Sequence, residues 1–90
     1  MKKTRVIMSG FVQGVGFRHF VKSQAVKLNL KGWVRNMSGG EVEAIFQGDK
    51  ENIEKMIELC KKGPFLSEVK DIKILWEDGD ESFDGFEIVI

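Results

Sequence analysis

Hydrophobic residues recur along this chain with two spacings, which predict two kinds of element. In the segment 41–47, Val42, Ala44 and Phe46 alternate with Glu43 and Gln47, and this period of two indicates a strand with one buried face. Short apolar or alternating runs predict the other strands, at 4–9, 32–37, around 72–76 and at 86–90. The turn at 38–40 contains two glycines and suits a hairpin between the second and third strands.

Two segments show instead the spacing of three to four residues that is typical of a helix. The first spans about 18–30. The second follows Asp49, which can cap it, and ends at Gly63 because Pro64 prevents its continuation. The apolar stripes consist of Val21, Ala25 and Leu28 in the first helix and of Ile53, Met56, Ile57 and Cys60 in the second.

The element order β-α-β-β-α-β, with a short last strand behind it, is typical of the ferredoxin-like split arrangement. We therefore expect an α+β fold, a ferredoxin-like βαββαβ sandwich whose antiparallel sheet carries two helices on one face. With 90 residues, of which 42% are hydrophobic, the chain is expected to form a single domain over 1–90. This architecture serves many functions, so the function must be argued from the site.

The formal net charge of zero conceals an uneven distribution of charge. Residues 1–40 contain five Lys, three Arg and no acid, whereas residues 41–90 contain six Lys and all fourteen acids, so the two halves carry +8 and −8. If the fold keeps the halves apart, the first half attracts small anions. If the halves interleave, the field averages out.

Cysteine usage and the start of the chain indicate where the protein works. Cys60 is the only cysteine, cannot form an internal disulfide, and is expected to be buried and inert on its helical stripe. The basic start is followed by only three apolar residues, 6–8, which are too few for a signal peptide. No apolar stretch approaches the length of a membrane span. We expect a cytoplasmic protein with no membrane partner.

The most informative segment is 10–18, G-F-V-Q-G-V-G-F-R, between the first strand and the first helix. Gly14 and Gly16 permit positive φ, so successive N–H groups can converge on an oxyanion at the positive end of the helix. Arg18 adds a planar, permanently charged fork. No Gly-Lys-Ser/Thr follows and the G-x-G-x-x-G spacing is absent, which disfavours a nucleotide. Taken alone, the glycines could also be plain turn residues.

A second motif, G-W-V-R-N, is followed by G-E-V-E and by Gln-Gly, and together with the glycine loop these motifs resemble the acylphosphatase family. The resemblance is close over 10–48 and looser beyond. It rests on several motifs that follow one another in a set order along the chain. These are 10–18, Ala25 and Leu28, 32–36, 40–43 and 47–48.

The resemblance implies hydrolysis of the carboxyl-phosphate bond of acyl phosphates to carboxylate and inorganic phosphate. Arg18 and the N–H groups of the loop would bind the phosphoryl oxygens, and Asn36 would orient the attacking water. The loop residues implied are Gln13, Gly14, Val15, Gly16 and Phe17. The departing carboxylate has a conjugate acid with a pKa of roughly 4 and needs no general acid, whereas a monoester calls for metal ions or a proton donor. We expect a metal-independent enzyme with no cofactor and a small-molecule substrate.

Other chemically suggestive residues are expected to have structural roles. His19, the only histidine, is expected to be a non-catalytic helix residue. Arg35 should face away from Asn36, because neighbouring residues of a strand point to opposite faces. Glu41 and Glu43 resemble a carboxylate pair, but at strand spacing we expect them to line a solvated face.

Two alternative functions remain open at this point. One is a non-catalytic anion or RNA-binding module, because segment 14–21, G-V-G-F-R-H-F-V, resembles the aromatic RNP1 motif. RNP1 lies in a strand, whereas this segment enters a helix, so we expect no nucleic-acid partner. The other is a domain that handles carbamoyl phosphate within a larger maturation protein. With 90 residues and no zinc-finger cysteines, a free-standing, monomeric enzyme is favoured.

Overall fold

A computed structural model describes residues 2–78 and 81–89 of the protein, which form two helices and five strands. In chain order the elements are β1 (Lys2–Phe11), α1 (Phe17–Lys27), β2 (Lys31–Asn36), β3 (Val42–Gly48), α2 (Lys50–Lys62), β4 (Glu68–Glu77) and β5 (Phe86–Ile88). Every predicted element is present. β1 and β4 are longer than their hydrophobic patterns indicated, and residue 90 of the last predicted strand lies outside the described residues.

The five strands form one sheet in the order β4-β1-β3-β2-β5, and the α+β ferredoxin-like prediction is confirmed. All pairs are antiparallel except β2 with β5, so the sheet is mixed rather than wholly antiparallel as expected. The direction of β5 has a simple cause. β4 runs against β1 and leaves the sheet at the end where β2 begins, so a strand that re-enters there runs parallel to β2.

Both helices cover the same face of the sheet, as predicted. α1 packs on β2 and β5, and α2 packs on β1 and β4. The rings of Phe46 and Phe86 stack with centroids 5.6 Å apart, which attaches β5 to the core.

Cys60 is buried as predicted, and its burial raises the pKa of the thiol to about 12, so it stays protonated and unreactive. Neither helix of the described chain is long and apolar enough to cross a membrane.

Backbone conformation explains two of the residues singled out in the sequence. Gly63 ends α2 with a φ of 67°, as expected, and its N–H donates to the carbonyl of Leu59 at 2.9 Å. Gly32, the first residue of G-W-V-R-N, has a φ of +135°, and a Cβ there would lie 1.9 Å from the carbonyl oxygen of Ile45. The motif therefore begins with glycine because β2 and β3 approach closely. Asp49 occupies the N-cap of α2, but its side chain makes no capping hydrogen bond.

The helix-free face of the sheet carries a partly buried ion-pair network that corrects one expectation. Glu43 does not line a solvated face, because only 4% of it is exposed. Its carboxylate accepts hydrogen bonds from Arg5 and from Nε of Arg35, the latter at 2.6 Å, and Arg5 also donates from Nε to Glu77 at 3.0 Å. Alternation identified the correct face, but long arginine side chains from the flanking strands cover it. The two oppositely charged halves of the chain thus interleave here.

The Glu43 network predicts a specific dependence of stability on pH. Burial raises the pKa of Glu43, but the hydrogen bonds from Arg35 and Arg5 outweigh it and hold the pKa below its ordinary value. Folding therefore favours the ionised form, and this contribution is complete above about pH 4.3 and is lost as the pH falls through the lower pKa of the folded state. Glu43→Gln should lower the free energy of unfolding by roughly 1.5 kcal/mol at pH 7, because the partly exposed arginines keep solvent and Arg5 keeps Glu77, and it should remove this part of the acid dependence.

Urea unfolding between pH 7 and pH 2 measures this effect, with Glu87→Gln as the control because Glu87 is an exposed carboxylate on β5. The control should retain the dependence of the wild-type protein. An identical pH profile for Glu43→Gln and wild type would contradict the prediction.

Candidate active site

The glycine loop joins the end of β1 to the start of α1. Val12 is buried at its base, with 1% of its surface exposed, while Gly14 and Gly16 lie exposed above it. The φ angles of Gly14 and Gly16 are 76° and 77°, and a Cβ added at either position would meet no atom within 4 Å. The glycines are therefore required by the left-handed backbone and not by crowding, and the space outside the loop is open to a ligand.

The first turn of α1 is not capped by any side chain of the described residues. Gly16 is the N-cap, and no acidic residue lies in the first turn. The N–H of Phe20 donates to the carbonyl of Gly16 at 3.0 Å, so the N–H groups of the three preceding residues come before the first intrahelical bond. These free donors and the positive end of the helix dipole together favour an anion. Phe17 is buried with 2% exposure and anchors this turn in the core.

The side chain of Gln13 fastens the glycine loop to the turn between β2 and β3. Its Nε2 donates to the carbonyl of Met37 at 2.8 Å and to the carbonyl of Glu41 at 2.9 Å. The turn itself is closed by the N–H of Met37, which donates to the carbonyl of Glu41 at 2.8 Å. Because Met37 directly follows Asn36, this clamp holds the loop beside the end of β2. The sequence motif predicted a role only for the backbone N–H of Gln13, and this side-chain contact was not predicted.

Asn36 ends β2 at the same corner of the molecule. Val34 is buried under the helices and Arg35 bonds Glu43 on the other face, so Asn36 lies on the helix side. Arg35 and Asn36 thus face opposite sides of the sheet, as predicted from alternation. Only residues 28–30 join α1 to β2, so α1 returns along the strand, and its first turn lies at the end where β2 finishes. The fold thus brings the glycine loop, the start of α1 and Asn36 together.

Arg18 is the second residue of α1 and differs from Arg5 and Arg35 in having no anionic partner within the described residues. No carboxylate there lies within 4.0 Å of its guanidinium, whereas Arg5 and Arg35 are both engaged by Glu43. Every charged residue of α1 is basic, so the interleaving of charge on the sheet does not extend to this helix. The guanidinium of Arg18 remains available to a bound anion. His19 beside it is exposed.

An uncapped helix start and an arginine without a carboxylate partner in the described residues thus lie in a small α+β domain, an arrangement that suits an anionic ligand. A family model for acylphosphatase matches residues 4–88, and this chain belongs to the acylphosphatase family. It is 42% identical over 86 residues to the acylphosphatase of Pelotomaculum thermopropionicum, which covers 96% of this chain and 94% of that protein. The crystal structure of acylphosphatase from Bacillus subtilis matches with a TM-score of 0.97, at 39% identity over the whole of both chains.

A third likeness bears on the alternative of a domain in a larger protein. The crystal structure of T. kodakarensis HypF matches with a TM-score of 0.86 and 34% identity, covering 99% of this chain and 12% of that one.

The resemblance drawn from the sequence motifs is confirmed by the family match and the full-length relatives. The protein is an enzyme that hydrolyses acyl phosphates. This function is favoured over a non-catalytic anion or RNA-binding module and over a domain that handles carbamoyl phosphate.

The Gln13 clamp leads to a prediction about the contact between the glycine loop and the turn that follows Asn36. In Gln13→Met an uncharged side chain of similar length would replace the amide that donates to the carbonyls of Met37 and Glu41, so both bonds are lost without adding a negative charge to the loop. We expect kcat/KM for benzoyl phosphate to fall roughly 100-fold, because a displacement of about 1 Å can cost that much. Gln24→Met, the same change on α1, should have little effect in the same assay. Equal activity of the two variants would argue against the clamp.

Proposed function

We propose that Arg18 and the backbone N–H groups of 13–17 hold the phosphoryl group of an acyl phosphate, and that Asn36 orients the water that attacks it. The observation that carries this proposal is the Gln13 clamp, which joins the loop to the turn directly after Asn36. The uncapped first turn of α1 and the available guanidinium of Arg18 support it. The short connection from α1 to β2, which puts the start of α1 at the end of β2, also supports a phosphoryl group held by all three.

The proposed reaction is a direct displacement at phosphorus. The water oxygen forms a bond to phosphorus, the bond from phosphorus to the acyl oxygen breaks, and the carboxylate leaves with the electron pair. The proton of the water passes to a phosphate oxygen. A loose transition state requires mainly positioning and charge stabilisation, which fixed N–H groups and a guanidinium supply. The weakly basic carboxylate leaves without a general acid, so we propose that catalysis is independent of metal ions.

We further propose that residues 1–90 form one domain, that the protein works as a monomer, and that it is cytoplasmic. One shared core under both helices and the family match over 4–88 support the single domain. Among the described residues, no buried side-chain nitrogen or oxygen lacks a hydrogen-bond partner, so none of them requires a second chain for its pairing. The buried, protonated thiol of Cys60 suits a reducing compartment.

Hydrolysis of benzoyl phosphate in the presence of a chelator tests the proposed function, with p-nitrophenyl phosphate as the monoester control. We expect cleavage of the acyl phosphate alone, at a rate that the chelator does not change. Running the reaction in ¹⁸O-water tests the displacement, because attack at phosphorus places the label in phosphate and attack at the acyl carbon places it in benzoate. Activity that disappears on chelation, or label in benzoate, would refute the corresponding step.

A further inference from the structure

Three large apolar side chains are exposed beside the glycine loop. We call Phe11, Phe65 and Leu66 the apolar rim. Their exposed fractions are 59%, 98% and 68%, respectively. Phe11 is the last residue of β1 and directly precedes the loop, while Phe65 and Leu66 lie in the turn between α2 and β4. Exposed apolar side chains grouped at one place commonly mark a binding surface, and the proposed mechanism gives these residues no role.

The rim is part of an ordered turn that is attached to the glycine loop on two sides. Glu68, at the start of β4, pairs with Phe11 in the sheet. Ser67 closes the turn by donating from both its N–H and its hydroxyl to the carbonyl of Pro64, at 2.9 and 2.7 Å. At the other side Gly63 lies so close to Phe17 that a Cβ would come within 2.8 Å of the ring. The high exposure therefore belongs to a fixed surface next to the site.

The direction of the displacement points the acyl group toward this surface. In phosphoryl transfer the attacking and leaving oxygens lie roughly in line, on opposite sides of phosphorus. Asn36, which is proposed to orient the attacking water, lies on β2, and β3 separates β2 from β1 and β4 in the sheet. The leaving carboxylate should therefore depart on the side of β1 and β4. That is the side on which the apolar rim lies.

We propose that the apolar rim is the subsite for the acyl group, and that the protein favours acyl phosphates with an aromatic or extended aliphatic acyl group over small ones such as acetyl phosphate. This inference rests on the proposed role of Asn36. An aromatic acyl group that covers Phe65 and Leu66 removes apolar surface of both partners from water, which strengthens binding. A methyl group is too small to reach across the rim, so acetyl phosphate gains little from it.

The test compares kcat/KM for benzoyl phosphate and acetyl phosphate in wild type, Phe65→Ala and Leu66→Ala. Because both side chains are exposed, the substitutions leave the core intact. Val26→Ala is the matched control, since Val26 is 56% exposed on α1 and lies toward the end of the helix away from the loop. We expect each rim variant to lower the ratio of benzoyl to acetyl activity roughly threefold to tenfold through the KM for benzoyl phosphate. The control should leave the ratio unchanged.

The outcomes separate this inference from the proposed function. Wild type that hydrolyses neither substrate would overturn the proposed function itself. Active wild type with an unchanged ratio in the rim variants, or with an equal loss on both substrates, would overturn only the acyl subsite. Gel filtration of the same proteins covers a further possibility: if the rim substitutions shift the oligomeric state and leave the ratio unchanged, the rim contacts a second copy and the inference fails.

Discussion

Replacing Arg18 with lysine should lower kcat/KM for benzoyl phosphate by roughly 10³-fold or more, although the positive charge is kept. A guanidinium can donate two parallel hydrogen bonds to two phosphoryl oxygens, whereas an ammonium is a compact charge without that geometry. The guanidinium of Arg18 has no carboxylate within ion-pair distance in the described residues, so its substitution leaves no buried acid without a partner. The loss should therefore appear in activity, while the free energy of unfolding stays close to that of wild type.

Two controls connect this loss to the guanidinium. Lys22→Ala removes a positive charge from the same helix one turn further on, and it should change kcat/KM only slightly. Added guanidinium should restore part of the activity of Arg18→Ala, and inorganic phosphate should inhibit both Arg18 variants less than wild type. Near-normal turnover of Arg18→Lys would remove the bidentate contact from the mechanism.

Asn36→Ala should lower kcat by roughly 10² to 10³, the usual cost of losing one oriented polar group in a preorganised site. Because Asn36 is proposed to act on the water and not on the phosphoryl group, the inhibition constant of phosphate should change little. Asn52→Ala, which removes an amide from α2 on the opposite half of the helical layer, is the control and should be fully active. An unchanged kcat, or a loss confined to KM, would contradict the assignment of Asn36 to the water.

Much of the fold could be predicted because each element has a regular hydrophobic period. The alternation of Val42, Ala44 and Phe46 and the stripe of α2 both correspond to buried residues. Periodicity assigns a residue to a face but does not reveal what covers that face. Glu43 was therefore placed correctly on the helix-free side and wrongly in solvent, because its cover comes from Arg5 and Arg35 on neighbouring strands.

The candidate site could be predicted to a different degree for backbone and side chains. The glycine loop is visible in the sequence because its left-handed conformations at Gly14 and Gly16 require glycine. The clamp by Gln13 is not visible, because its acceptors are backbone carbonyls 24 and 28 residues away, and any residue type supplies such a carbonyl. The direction of β5 also left no local signal, since it depends on where the chain leaves β4.

The position of β1 between β3 and β4 has a consequence for how the protein folds. The hydroxyl of Thr4 donates to the carbonyl of Leu75 at 3.0 Å, which closes a separation of 71 residues, and the whole pairing of β1 with β4 is of this long-range kind. Such contacts form only after a large loss of chain entropy, which slows folding compared with helical bundles of equal length. During synthesis, one edge of β1, the strand that leads into the glycine loop, therefore stays unpaired until β4 has emerged from the ribosome.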